Sequence, residues 1–162
     1  MPFERAYLFD ADGRQIARFD GDEARTLIRL TPSEIARLQG GSMIHNHPPN
    51  VDLPRDDPRF DPASFSDLDI CWAASVDVAL MIAVSPRWRH VIHRPQNGWR
   101  GTLPTEAEFD DSLRLLYAVI DGEDAWRMDH GETAKDLAAT RSHRVNMRFS
   151  REIGATYRRE PR

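Results

Sequence analysis

The sequence predicts an α/β or α+β fold in which one sheet is flanked by helices. Three features predict it: an early hairpin pattern, a short helix with clear end signals, and helical spacing over much of the second half. At 162 residues, with 40% hydrophobic and 30% charged residues, the chain has the length and composition of one globular domain. The expected order is two strands, a helix, a strand, a helix, two strands and two helices.

The first elements are predicted to be a hairpin and a short helix. Residues 6–10 and 15–21 are apolar-rich runs that flank an Asp-Gly turn. Thr31 stands three residues before Glu34, which is typical of an N-cap with a capping box. Gly40 is expected to end this helix.

Strands and one helix are expected in the middle of the chain. Residues 42–48 are predicted as a strand, and the loop 48–65 is rich in proline and aspartate. Ser66 is a good N-cap for the next helix, with acids in its first turn. Residues 79–85 and 89–95 are predicted as a second hairpin, and the first of these runs is apolar enough to be a central strand.

The end of the chain is predicted to be helical. Apolar residues at helical spacing indicate one helix from about residue 103 to 122 and another from about Thr133 to Gly154. The seven arginines after residue 137 could suit a nucleic acid, but their spacing around an apolar stripe favours a solvated face. The apolar positions are Phe109, Leu113, Leu116, Tyr117 and Ile120 in the first helix, and Leu137, Val145, Phe149 and Ile153 in the second.

Charge and cysteine content limit the chemistry. Cys71 is the only cysteine, which excludes an intramolecular disulfide and a multi-cysteine zinc site, so His, Asp or Glu would have to hold a metal. No run approaches the length of about 20 apolar residues that spans a membrane, and the start has no signal-peptide pattern. We therefore expect a soluble protein.

The stretch SMIHNHPPN, residues 42–50, contains two histidines two positions apart. Alternate side chains of a strand point the same way, so His45 and His47 can offer both imidazoles to one metal ion. A zinc site needs a third ligand. Asp69 or Asp67 is the natural candidate, since both lie in the first turn of the next helix.

Two more residues have chemistry that such a site requires. Ser66, at the same helix start, can direct its hydroxyl toward a developing oxyanion. Glu4, immediately before the first strand, is the candidate general base, and Glu23 is an alternative to it.

These residues resemble the pattern of the JAMM, or MPN-type, zinc metallopeptidases. That pattern has a glutamate just before the first strand, His-x-His-Pro at a strand end and Ser-x-x-Asp at the start of the next helix. HNHP is especially similar to the bacterial and phage branch, including RadC-type and phage head-associated JAB domains. The matching residues are Glu4 in ERAYLF, His45 and His47 in HNHP, and Ser66 with Asp69 in FSDLDI.

The resemblance covers about residues 4–95 and implies an MPN/JAB-like curved mixed sheet flanked by helices, with zinc at one sheet edge. It implies a core of residues 1–102 and a helical C-terminal extension, residues 103–162, that packs on the same domain. The chain would be cytoplasmic, or a released or secreted piece of a larger bacterial or phage protein such as a phage structural polypeptide or a toxin.

The activity that the resemblance implies is hydrolysis of peptide or isopeptide bonds. His45, His47 and Asp69 would hold Zn²⁺, which lowers the pKa of its water, and Glu4 would take the proton. Ser66 and the metal would share the negative charge of the tetrahedral intermediate. The expected partners are a protein or peptide substrate, ubiquitin-like conjugates included, and not a membrane or a nucleic acid.

Two features depart from the family pattern. The family usually has about seven residues between the second histidine and the serine, so residues 48–65 contain an insertion, expected to form a lid or substrate rim with solvated aspartates. Ser64 with Asp67 also satisfies Ser-x-x-Asp. Ser66 with Asp69 is favoured, because the acid is then followed by a helix whose apolar face can pack.

Three other functions share part of this pattern. A non-catalytic MPN-type binding module would keep the fold but would not need the full set of catalytic and metal-binding residues. Because this chain has the full set, an enzyme is favoured over such a module. The letters HNH suggest a metal-dependent nuclease, but that motif spreads its residues over a hairpin and a helix, and the formal net charge here is −4. A TIM-barrel metallohydrolase also begins with His-x-His but needs about 200 residues or more. His90 and His143 match no motif and are expected to be structural or solvent-facing.

Overall fold

A six-stranded mixed sheet forms the frame of the computed structural model, which describes residues 3–21, 26–61, 64–99 and 106–162. The spatial order of the strands is β2-β1-β3-β4-β5-β6. β3 and β4 are parallel, and the other four neighbouring pairs are antiparallel. The strands are β1 (Arg5–Phe9), β2 (Gln15–Asp20), β3 (Ser42–Asn46), β4 (Leu80–Val84), β5 (Trp88–His93) and β6 (Thr156–Pro161).

The described residues also form four α-helices: α1 (Pro32–Leu38), α2 (Asp67–Val76), α3 (Glu106–Asp129) and α4 (Ala134–Glu152). The coarse prediction of an α+β fold with one sheet is confirmed. The capping box of Thr31 and Glu34 is present at α1, and Thr133 caps α4. The boundary predicted near residue 102 and the first predicted residues of α3 lie outside the described residues.

The hydrophobic core joins one face of the sheet to the four helices. Side chains of β1, β3, β4 and β5 form one buried cluster with side chains of α1, α2, α3 and α4. The predicted apolar stripes of α3 and α4 lie in or against this core, as expected. Among the described helices, none has the length and apolar character that crossing a bilayer would require.

The final strand, β6, was missed by the sequence analysis, and the prediction of a purely helical ending is wrong. Its residues are mostly charged or polar, so no apolar alternation marks it. It forms because β5 offers an edge to pair with. Across this pair, Arg89 forms an ion pair with Glu160, and the Arg159 guanidinium lies 4.3 Å from the centre of the Trp88 ring.

Helix α3 continues through Gly122, beyond the predicted end. The added turns present acids to the arginines of α4, so Glu123 pairs with Arg148, and Asp124 pairs with Arg144 at 2.6 Å. Arg144 is 12% exposed, so the prediction of a solvated face is wrong for this arginine. These ion pairs stabilise the packing of α3 on α4. They lie just beyond Gly122, which by itself would weaken the helix.

The loop 48–65 is attached to the fold at its second half, which contains a short 3-10 helix at Pro58–Phe60. Asp57 and Asp61 are buried, so the expectation of solvated aspartates is wrong for these two. Asp57 pairs with Arg59 and Lys135, and hydrogen bonds from Arg59 hold the pKa of Asp57 below its usual range. Asp61 accepts hydrogen bonds from Arg87 at 3.1 Å.

Candidate metal centre

The register of β3 brings the two predicted histidines to one face of the sheet. His45 lies between Ala6 of β1 and Ala83 of β4, whose small side chains leave room for an imidazole. His47 follows the end of β3, and its backbone N–H donates to the Val84 carbonyl at 2.8 Å. This bond continues the pairing with β4, so His47 keeps the alternation and lies on the same face as His45.

The start of α2 brings the third predicted ligand to these histidines. Ser66 is the N-cap, and its hydroxyl and its backbone N–H both donate to Oδ2 of Asp69, at 2.8 and 2.7 Å. The Asp69 N–H donates in turn to the Ser66 hydroxyl at 3.2 Å. This reciprocal capping box fixes the carboxylate of Asp69 against the helix start.

The three side chains converge on one point. His45 Nε2 lies 2.9 Å from His47 Nε2, and the Asp69 oxygens lie 3.7 Å from His45 Nε2 and 4.0 Å from His47 Nε2. Two donors bound to a tetrahedral zinc ion are about 3.4 Å apart, given metal–ligand bonds of about 2.1 Å. The observed distances bracket this value, and the donor atoms all lie within 4.8 Å of one another, so the cluster could hold a metal ion.

His45 is the buried member of the cluster. Its side chain is fully buried, whereas His47 and Asp69 are 16% and 17% exposed. Burial is the main reason that the pKa of His45 is lowered to about 4; Asp69 opposes this shift, and the nearby His47 contributes to it. The ring is therefore neutral at pH 7, which is the state that binds a metal ion. Nδ1 of His45 is buried and makes no hydrogen bond.

The structure distinguishes between the two Ser-x-x-Asp pairs. Asp67 accepts a hydrogen bond from the Tyr117 hydroxyl at 2.8 Å and is not part of the converging cluster. Burial, assisted by this bond, raises the pKa of Tyr117 to about 12. Ser64 is likewise engaged elsewhere, because its hydroxyl lies 2.9 Å from the Tyr157 hydroxyl. Ser66 and Asp69 are the pair that meets the histidines.

Glu4 lies one residue before β1, whose pairing with β3 ends at Arg5, opposite Asn46. Ala6 pairs with His45, so an extension of this register by one residue would put Glu4 opposite His47. Glu4 is two residues from Ala6 and therefore lies on the same face of the sheet. Its carbonyl accepts a hydrogen bond from Gly21 at 2.8 Å, which ties it to the end of β2. The alternative base, Glu23, lies outside the described residues.

Asn46 has a role that the sequence analysis missed. Its side chain accepts a hydrogen bond from the Arg5 N–H at 2.8 Å and donates one to the Phe3 carbonyl at 3.1 Å. It therefore holds the backbone on both sides of Glu4. One signal for Asn46 was present in the sequence. It is a polar residue between two histidines of a predicted strand, so its side chain must point away from the face that the histidines share.

A second polar cluster lies beyond Phe65, whose ring centre is 6.1 Å from that of His45 and 6.4 Å from that of His90. The Tyr157 hydroxyl lies 3.0 Å from His90 Nδ1 and 2.8 Å from His143 Nδ1. The expectation of a structural role agrees with the burial of His90. Burial lowers the pKa of His90 to about 3 and that of His143 to about 4.

The lowered pKa of His90 predicts a loss of stability in acid. The His90 imidazole has a pKa of about 6.5 in the unfolded chain and about 3 in the folded protein. The contribution of the neutral ring to the free energy of unfolding is therefore complete above pH 6.5 and is lost as the pH falls toward 3. The quantity compared is the decrease in the free energy of unfolding of the metal-free protein when the pH is lowered from 6.5 to 4.5. We expect this decrease to be about 2 kcal/mol smaller in His90→Gln than in the wild type. Urea unfolding at both pH values measures this difference. Equal losses in the two proteins would contradict the prediction.

Comparisons with protein-family models, with curated proteins and with solved structures find no match for this chain. The chemistry of the cluster is therefore inferred from its own residues and their geometry.

Proposed function

We propose that the protein is a zinc-dependent hydrolase of the JAMM type that cleaves peptide or isopeptide bonds. The observation that supports this most is the convergence of His45 Nε2, His47 Nε2 and the Asp69 carboxylate within 4.8 Å. Two imidazoles and one carboxylate form a donor set of the kind that holds catalytic zinc, with a fourth position for water. The resemblance of ERAYLF, HNHP and FSDLDI to the family pattern supports the same reaction.

A bound zinc ion would supply an acidified water and a positive charge near the developing oxyanion. Glu4 takes the proton of the attacking water and returns it to the leaving amine. The β1–β3 register supports this role, because its extension by one residue would put Glu4 opposite His47, where a general base could reach a water beside that histidine. Asn46 keeps the backbone around Glu4 in place.

Ser66 serves in two ways under this proposal. Its hydroxyl donates to Oδ2 of Asp69 and so orients the metal ligand. When the hydroxyl turns to donate to the developing oxyanion, the Ser66 backbone N–H keeps its own bond to the same oxygen at 2.7 Å. The ligand therefore stays in place while the hydroxyl moves.

The burial of the cluster indicates the direction of approach. His45 is fully buried against Phe65, whereas His47 and Asp69 are partly exposed. A substrate would therefore reach the metal from the side of His47. Peptides and lysine-linked isopeptides both present an amide to such an opening, so both belong in the test.

The experiment that tests the proposal compares zinc-loaded protein with chelator-treated protein on peptide and isopeptide substrates. We expect cleavage with zinc, loss of cleavage after chelation and recovery on addition of zinc alone. Binding of peptides without cleavage would favour a non-catalytic module instead. DNA and RNA serve as a further substrate panel, and metal-dependent cleavage confined to that panel would favour a nuclease.

A further inference from the structure

Residues 64–66, which precede α2, are tied to the end of the chain by three hydrogen bonds. The Ser64 N–H donates to the Ser142 hydroxyl at 2.9 Å, and the Asn146 amide donates to the Phe65 carbonyl at 2.8 Å. The Ser64 hydroxyl contacts the Tyr157 hydroxyl at 2.9 Å. Two of these partners come from α4 and one from β6, so the last two elements of the chain fix the segment that leads into α2.

Because these contacts are buried, they restrict the position of residues 64–66. Asn146 is 4% exposed, and Ser64 and Phe65 are also buried. Asn146 is a polar residue on the buried side of α4, next to Val145, where an apolar residue would serve packing equally well. A buried carbonyl that loses its donor destabilises the fold, so the Asn146 amide confines the Phe65 backbone to one position.

The segment determines where Asp69 lies. Ser66 is both the last residue of the segment and the cap that holds Asp69 by two bonds to Oδ2. The position of this carboxylate relative to the histidines of β3 therefore depends on how residues 64–66 are fixed. The ring of Phe65, held by the same bonds, forms the wall beside His45.

We propose that Asn146, supported by Ser142 and Tyr157, positions the third metal ligand by fixing residues 64–66 against α4 and β6. This inference rests on the proposed function, since it assumes that Asp69 binds the metal. Asn146 donates its hydrogen bond to the Phe65 carbonyl and acts on Asp69 through that backbone, so it is a positioning residue. The C-terminal elements are then part of the metal centre and not only a support for the core.

A merely structural role and a positioning role predict different results. A structural role lowers the free energy of unfolding but leaves the metal affinity of the folded protein unchanged. A positioning role weakens metal binding in protein that is still folded, because a loosened ligand set binds less tightly. The zinc affinity of the folded protein is therefore the quantity that separates the two roles.

The test measures zinc affinity by competition with a chromophoric chelator in full-length wild-type protein and in Asn146→Leu, whose folding is checked by circular dichroism. We expect about 10–100-fold weaker zinc binding in Asn146→Leu, as for other residues that orient metal ligands. The matched control is Ser150→Ala, one turn further along α4. Ser150 is buried and its hydroxyl has no hydrogen-bond partner, so its removal should change the affinity by less than about 2-fold.

Cobalt provides a second readout. The visible absorption of bound Co²⁺ depends on coordination geometry, so we expect an altered spectrum in Asn146→Leu and a wild-type spectrum in Ser150→Ala. Ser142→Ala and Tyr157→Phe remove the other two contacts with smaller changes in volume. They decide the question if Asn146→Leu does not fold, and each should weaken zinc binding by about 3–10-fold.

The possible results separate this inference from the proposed function. If the wild-type protein takes up no zinc, the proposed function fails and the positioning role fails with it. If the wild type binds zinc and the folded variants bind it equally well, the metal centre stands and the positioning role is overturned. Weaker binding in Asn146→Leu but not in Ser150→Ala supports both.

Discussion

Glu4→Gln is expected to lower the rate of peptide or isopeptide hydrolysis by about 10²–10⁴-fold while the protein still binds zinc. Glutamine has the size of glutamate but cannot accept the proton of the attacking water. The metal should remain because Glu4 is not among the converging donor atoms of His45, His47 and Asp69. Steady-state hydrolysis and zinc content, measured on the same preparation, test both parts of the prediction.

Glu152→Gln is the control for a change of charge, because Glu152 is an exposed glutamate at the end of α4. It should retain wild-type activity. Glu23→Gln belongs in the same series, since Glu23 is the alternative base. Full activity in Glu4→Gln together with loss of activity in Glu23→Gln would contradict the assignment of Glu4 that the strand register supports.

Asp69→Ala is expected to weaken zinc binding by more than about 100-fold, whereas Asp67→Ala should change it by less than about 3-fold. Both acids lie in the first turn of α2 and interact similarly with the helix dipole, so this contribution cancels between the variants. The difference reflects their contacts. Asp69 faces the two histidines, whereas Asp67 binds the Tyr117 hydroxyl.

Chelator competition measures these affinities, and urea unfolding of the metal-free variants provides the control for folding. Asp69→Ala also loses the capping box with Ser66, which should lower the free energy of unfolding by about 1 kcal/mol. A loss of zinc affinity that is equal in the two variants would mean that the helix start, and not the Asp69 carboxylate, supports metal binding.

Most of the fold could be predicted from the sequence because its signals are local. Thr31 with Glu34 and Thr133 at the start of α4 are end signals that depend only on near neighbours, and the structure has both helices there. β6 could not be predicted, because its charged residues form a strand only when β5 lies beside them. The extension of α3 past Gly122 likewise depends on contacts from another helix, including that of Arg144.

The candidate metal-binding residues could be predicted from the sequence, but the residues that hold them in place could not. The period of a strand gives His45 and His47 a common face, and a capping pattern marks Ser66 with Asp69. The sequence already favoured Asp69 over Asp67, but the hydrogen bond from the Tyr117 hydroxyl of α3 that engages Asp67 could not be predicted from it.

The two asparagines that hold the site were not found from the sequence. Asn46 binds backbone groups of a neighbouring strand, and Asn146 binds a carbonyl 81 positions away along the chain. The position of Asn46 between the two histidines indicates only that its side chain points away from them, and the partners of both asparagines depend on how distant segments meet in the folded protein. Side chains that support a site by binding remote backbone are therefore the part that the sequence leaves open.

The zinc content of purified wild-type protein and of His47→Ala, measured by elemental analysis, tests the central claim most directly. His47 lies just beyond β3 and is 16% exposed, so its removal disturbs the core less than removal of the buried His45. We predict about one zinc ion per chain in the wild type and loss of this zinc in the variant. No zinc in either protein after reconstitution at neutral pH, or equal zinc in both, would contradict a metal centre built on these histidines.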